Sequence, residues 1–273
     1  MFARSLMIGF FLAGIGGASA DATSVKEIVE AKGCPRCRLV LAGLRGLEIE
    51  GANFEGANLR EADLKGVILP QADFRKASLQ RAELEKADVS GADFSGASMR
   101  DVDLEKSKAP GAAFAGADLR DADLEEIDAA KAKFAEADLR GILLRRARLA
   151  GADFSKAQML RADLERIDGR GATFRDADLE LVDFDRADLS GADFSGARME
   201  SVRLSSTNLT GATFDGAVLK GALLRRTNLS GADLSGAKGL TRDELALACG
   251  DADTKLPRGF EVRPCTADDT DGD

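Results

Sequence analysis

The chain has 273 residues, is 44% hydrophobic and 31% charged, and carries a net charge of −9 from 47 acidic and 38 basic residues. It is apolar enough to fold, and its mixed charge argues against the basic face that nucleic-acid binding requires. It contains no His, Tyr or Trp, which removes imidazole as base, nucleophile or metal ligand and the aromatics best suited to sugars and binding hot spots.

Residues 1–20, "MFARSLMIGFFLAGIGGASA", open with Arg4, continue through an apolar stretch from Leu6 to Ile15 and end on Ala18-Ser19-Ala20. This pattern predicts a secretory signal peptide cleaved before Asp21, and its apolar run is too short to span a membrane comfortably. No cysteine adjoins the cleavage site, so a lipid anchor is not expected there. Residues 21–33, "DATSVKEIVEAKG", predict an N-terminal cap containing a short helix that starts at Thr23 or Ser24 and stops at Gly33.

From Cys34 onward an apolar residue recurs every five positions, as Leu39, Leu44, Ile49 and Phe54, and continues to Leu229 and Leu234 without an insertion. A period of five is neither the 3.6 of a helix nor the 2 of a strand. Two residues before each centre stands a small residue, usually alanine, giving the pattern A-(D/N)-(L/F)-x-x. A repeat held in one register this long predicts a solenoid over residues 34–239.

A longer period lies inside the short one. Phe54, Phe74, Phe94, Phe114, Phe134, Phe154, Phe174, Phe194 and Phe214 are spaced by twenty, and Phe184 is the one other aromatic centre. Positions twenty apart therefore share chemistry, as they would if each coil took twenty residues and stacked on the next. Where a centre shrinks to Ala129 or Gly169, the residue two before it is Ile127 or Ile167, the volume compensation a close-packed interior demands.

Beyond the repeat, residues 240–265 predict a C-terminal cap. "TRDELALACG" places Thr241 and Glu244 at capping-box spacing, with Gly250 as the helix terminator. Residues 266–273 form an acidic tail expected to be disordered.

Runs such as "GADFSGARMESVRLSSTNLTGATF" resemble the pentapeptide repeat family over about three quarters of the chain. The resemblance implies an all-β solenoid, a right-handed quadrilateral β-helix with one pentapeptide per side, here about ten 20-residue coils between short helical caps. At about 4.8 Å per coil the rod would be roughly 50 Å long.

Four cysteines, Cys34, Cys37, Cys249 and Cys265, fit an oxidising compartment. Disulfide Cα atoms lie within about 7 Å, so the two ends of such a rod cannot be bridged, and Cys34–Cys37 and Cys249–Cys265 are the expected pairs. C-x-x-C is also a redox motif and half a zinc site. Against both, Cys34 and Cys37 fall in the repeat register facing inward, no βαβ pattern surrounds them and no His is present, so a structural role is expected.

An acidic stripe, Asp63, Glu83, Asp103, Asp123, Asp163 and Asp183, is flanked by Glu85, Glu105, Glu125, Glu165 and Asp185 and bordered by Arg and Lys. Asp103, Glu105, Asp123, Glu125, Asp163, Glu165, Asp183 and Asp185 form the candidate interaction surface. Some family members resemble B-DNA in shape and charge and bind type II topoisomerases, but this rod carries roughly one net negative charge per 8 Å against about one per 1.7 Å in DNA. The expected function is an exported, periplasmic or secreted bacterial scaffold or protein-interaction module with no catalytic site, no cofactor and no metal. Its partner would be an unidentified envelope protein rather than nucleic acid, with no membrane span after signal cleavage and a monomer or end-to-end dimer as its state. The alternatives are a topoisomerase-directed DNA mimic and a redox protein using C-P-R-C.

Overall fold

The structure is a computed structural model that describes residues 24–266. The expected signal peptide, the first three residues of the N-terminal cap and residues 267–273 of the acidic tail lie outside the described residues. Four short elements follow in chain order: α1 (Val25–Glu30), α2 (Arg242–Leu245), β1 (Cys249–Gly250) and β2 (Arg263–Pro264). Between α1 and α2 the chain is one continuous coil.

Isolated parallel bridges join residues twenty apart, from Gly33–Asn53 and Arg38–Asn58 to Val218–Lys238. Each coil is thus twenty residues and four sides. The hydrogen bonds explain the five-residue beat. The repeat centre donates upward, as from Phe54 N to Asp73 O at 2.7 Å, and the residue before a centre donates downward, as from Asp73 N to Ala52 O at 2.8 Å. At the corner, Ala57 N donates to Phe54 O at 3.0 Å. Neighbouring coils in this way satisfy the backbone groups that burial would otherwise leave costly.

The turn needs a left-handed residue two after each centre. Glycine fills it at Gly56 (φ 63°) and Gly96 (φ 65°), but Lys76 (φ 56°) holds the same position between them. Alanine two before the centre keeps the corner small, and Ala52, Ala57 and their successors are buried beside the centres.

The core is a cylinder of columns. All nine phenylalanines from Phe54 to Phe214 are buried, and consecutive rings stack with centroids 4.7–5.3 Å apart and planes within 10°. Phe184, from a different side, meets Phe174 edge-on at 5.5 Å and 79°. At Gly169 an added Cβ would come within 2.8 Å of Leu189 Cδ2 and 3.2 Å of Ile167 Cδ1, so these two side chains fill the space a larger centre would take. Thr207 and Thr227 are buried as well, and each hydroxyl donates to a carbonyl, Phe184 O at 2.8 Å and Leu204 O at 2.7 Å.

Both ends carry a helix with a capping box. Ser24, not Thr23, caps α1: its oxygen accepts from Glu27 N while Glu27 accepts from Ser24 N at 2.8 Å, and Ile28 is buried. Thr241 and Glu244 make the same reciprocal pair in α2, with Leu245 buried. The expectation that this second helix runs to Gly250 is corrected: it stops at Leu245. The reason is the next rung, since Cys249 N donates to Thr227 O at 3.0 Å and Cys249 O accepts from Leu229 N at 2.8 Å. Residues 249–250 thereby become strand β1, with β2 parallel beyond it.

Candidate interaction surface

The stripe acids share one backbone role. Asp103 Oδ1 accepts the N–H of Glu105 at 3.0 Å, Asp123 that of Glu125 at 3.0 Å, Asp163 that of Glu165 at 3.1 Å and Asp183 that of Asp185 at 2.9 Å. The same bond recurs on other sides, with Asn53 Oδ1 accepting from Glu55 N at 3.0 Å and Asp188 Oδ1 from Ser190 N at 3.1 Å. These are Asx turns, in which a short polar side chain closes the corner. The (D/N) of the repeat is therefore turn chemistry first and surface charge second. Reading the stripe as a face alone overlooked this, although Asp and Asn before the centre on all four sides, as at Asp73, Asp118 and Asp188, carried the signal.

The outer acids are compensated by the protein's own cations. Lys106 reaches Glu105, Arg145 reaches Glu125 through Nε at 2.9 Å, and Arg186 reaches Glu165 at 2.8 Å. Leu143 and Arg145 interrupt the stripe between Asp123 and Asp163. Asp185 is corrected from exposed to buried, at 6% exposure, because the next coil places Arg203 and the Ser205 N–H (2.8 Å) on its carboxylate. Arg203 also holds Asp183 at 3.0 Å.

Two stripe acids titrate above the ordinary aspartate value. Burial raises Asp103 first, and the charges of Glu85 and Asp123 add to it, against the Glu105 N–H. Asp183 is raised by burial and then by Asp185, with the Asp185 N–H and Arg203 opposing. Glu85 is lowered by Lys65, whose ammonium lies 3.4 Å away. What the surface offers is a long array of Glu, Arg and Lys in alternating pairs rather than one negative potential.

Cys34 is bonded to Cys37 and Cys249 to Cys265, with Cα separations of 5.6 and 4.7 Å. The second bond holds β2 to β1, and Leu256, Phe260 and Val262 pack on the end of the core. Among the described residues no group of three or more Cys, Asp or Glu is placed to hold a metal, and no helix is long and apolar enough to cross a membrane.

The family model described as "Pentapeptide repeats" matches in eight copies over residues 37–75, 57–96, 170–200 and 203–238, and that described as "Pentapeptide repeat region" matches residues 77–154. Among solved structures, the chain is similar to HetL, a pentapeptide repeat protein involved in heterocyst differentiation regulation from the cyanobacterium Nostoc, at 30% identity over 70% of this chain and 89% of that one (TM-score 0.45). It is also similar to QnrB1 in a trypsin-treated form, a plasmid-mediated fluoroquinolone resistance protein, at 16% identity over 76% and 92% (TM-score 0.41). A third similarity is to Rfr23 from the cyanobacterium Cyanothece, at 21% identity over 51% and 90% (TM-score 0.32). No curated protein matches. The repeat, its twenty-residue coil and the matched models together establish that the chain belongs to the pentapeptide repeat family and folds as a right-handed, four-sided β-helix.

Proposed function

We propose that this protein is exported and that its rod serves as a non-enzymatic scaffold, presenting its charged sides to a protein partner in the bacterial envelope. The observation that carries the reading is the uninterrupted twenty-residue bridging from Gly33 to Lys238. Nearly every corner closes through a short-range backbone bond, as from Ala57 N to Phe54 O, so the molecule is built as a stack of coils with flat sides. Active sites usually rest on long loops or concave pockets, and membership of a repeat family agrees with an interaction module. Export rests on the composition of residues 1–20 and is consistent with the two disulfides. The paired charges at Glu105, Glu125 and Glu165 suit a partner with a similarly alternating surface, because each ion pair there can be exchanged rather than stripped.

The test is expression of the full chain with its own leader in a Gram-negative host, followed by sequencing of the mature N-terminus and crosslinking in the intact periplasm. The expected result is a chain beginning at Asp21 and one recurrent envelope protein, bound again by the purified rod and released by Glu105→Lys, Glu125→Lys and Glu165→Lys together. An unprocessed chain found in the cytoplasm on a type II topoisomerase would overturn it in favour of a DNA mimic.

A further inference from the structure

A stiff scaffold has no need of the Cys34-Pro35-Arg36-Cys37 segment. Cys34 and Cys37 stand one coil before Phe54 and Ala57 and two before Phe74 and Ala77, at the same corner of the rod. The corner follows the same pattern in all three. Cys37 N donates to Cys34 O at 3.5 Å, as Ala57 N does to Phe54 O and Ala77 N to Phe74 O, both at 3.0 Å. Arg36 has φ 57° where Lys76 has 56°, and Arg36 N reaches Glu55 O at 2.8 Å as Gly56 N reaches Arg75 O at 2.9 Å.

A corner that forms in every later coil without a covalent tie does not depend on one here. Stabilisation by a disulfide grows with the loop it closes, and this one closes a turn already closed by a hydrogen bond. Cys249–Cys265 is the contrast, spanning sixteen residues and holding β2 to β1. Access differs too. Phe54 and Ala57 are fully buried, whereas Cys34 and Cys37 are half-buried because no coil lies beneath them, and Pro35 and Arg36 are exposed. From Ala31 to Leu47 the chain has no acidic residue, and it carries Lys32, Arg36 and Arg38 close in sequence to the pair, a composition that favours a thiolate; Arg45 is taken up by Asp63.

We propose that Cys34–Cys37 is a thiol–disulfide exchange site whose substrate is a dithiol in an exposed, extended segment of another protein. The substrate thiolate attacks one cysteine sulfur, forming a mixed disulfide and expelling the other as a thiolate. The second substrate thiolate then attacks the mixed disulfide. Cys34 and Cys37 are left reduced, the substrate holds a new disulfide, and two electrons and two protons have been transferred. A low-molecular-weight disulfide such as oxidised glutathione restores the pair by the reverse exchange.

The experiment uses the folded full chain, a synthetic peptide carrying two cysteines as substrate, and oxidised glutathione as the terminal oxidant, with thiol trapping and mass spectrometry. The expected result is exchange at Cys34–Cys37 at least tenfold faster than at Cys249–Cys265, an unchanged circular dichroism spectrum and thermal midpoint while the first pair is reduced, and peptide oxidation over many turnovers. Cys34→Ser with Cys37→Ser abolishes turnover and keeps the midpoint, and Arg36→Glu slows it. A rate difference below tenfold, opening of Cys34–Cys37 only as the fold is lost, or peptide oxidation unaltered by the double substitution would each overturn the proposal. Should the double variant fold poorly, reduction of the native chain followed by circular dichroism decides alone.

Discussion

The ring of Phe134 lies 4.8 Å from that of Phe154 with 1° between their planes, and both are fully buried. Phe114 lies on its other side at 4.7 Å and 2°, so truncating Phe134 leaves a cavity that two flanking rings cannot close. Phe134→Ala is expected to cost about 3–5 kcal/mol in chemical denaturation. Hydrogen exchange should show the loss centred on the coils around residue 134, because a repeat rod transmits stability mainly between neighbours. A cost under about 1 kcal/mol would contradict the packing.

Asp193 gives a pH dependence of definite sign. Burial pushes its pKa up, but the Ser195 hydroxyl and N–H, Arg175 and Thr213 outweigh it and hold the group at about 2. The folded state therefore binds fewer protons than the unfolded state between that value and the ordinary aspartate value of 3.8. Stability from this group is fully present above about pH 4 and is lost as pH falls through about 2. Asp193→Asn should flatten that part of an acid-unfolding curve, and a carbon-detected NMR titration of Asp193 would read the value itself.

Asp103 has the opposite sign. Its pKa is raised by burial and by Glu85 and Asp123, so its charge is a cost above the folded pKa that disappears below the ordinary aspartate range. Asparagine keeps the turn, since Asn53 makes the same bond to Glu55. Asp103→Asn is expected to stabilise the protein at pH 7 by about 0.2–1 kcal/mol, the size of a relieved like-charge cross-strand pair. The gain should vanish in thermal melts at acidic pH; a loss at pH 7 would show that the charge itself is needed.

Lys76 occupies a left-handed corner with Gly56 below and Gly96 above. Lys76→Gly relieves the steric cost of a Cβ at positive φ while adding freedom to the unfolded chain, and the balance favours the variant by about 0.5 kcal/mol. Denaturant midpoints of matched variants at Lys76 and Arg81 (φ 57°) would check it.

Cys249→Ala with Cys265→Ala opens the loop that holds β2 over the last coil. The expected loss is about 3 kcal/mol, with more light scattering as the uncovered edge pairs with other molecules. Unchanged scattering would mean that Pro257 and Pro264, which lack N–H groups, blunt the edge without the bond.

The sequence by itself determined the coil. A beat of five, phenylalanines at twenty and the trade between Gly169 and Ile167 are consequences of stacking identical turns, so each residue's environment is set by its position in the count. The two cysteine pairs followed from the length of the rod. Tertiary structure alone decided what depends on the neighbour one coil away. Asp185 is buried because Arg203 and Ser205 close over it, and α2 ends at Leu245 because Thr227 and Leu229 need a rung that Cys249 supplies. The stripe looked like a surface in one dimension. In three it is a row of turn-closing carboxylates with bases from adjoining coils across it, because the same Asp that faces solvent is also the nearest acceptor for the corner's own N–H.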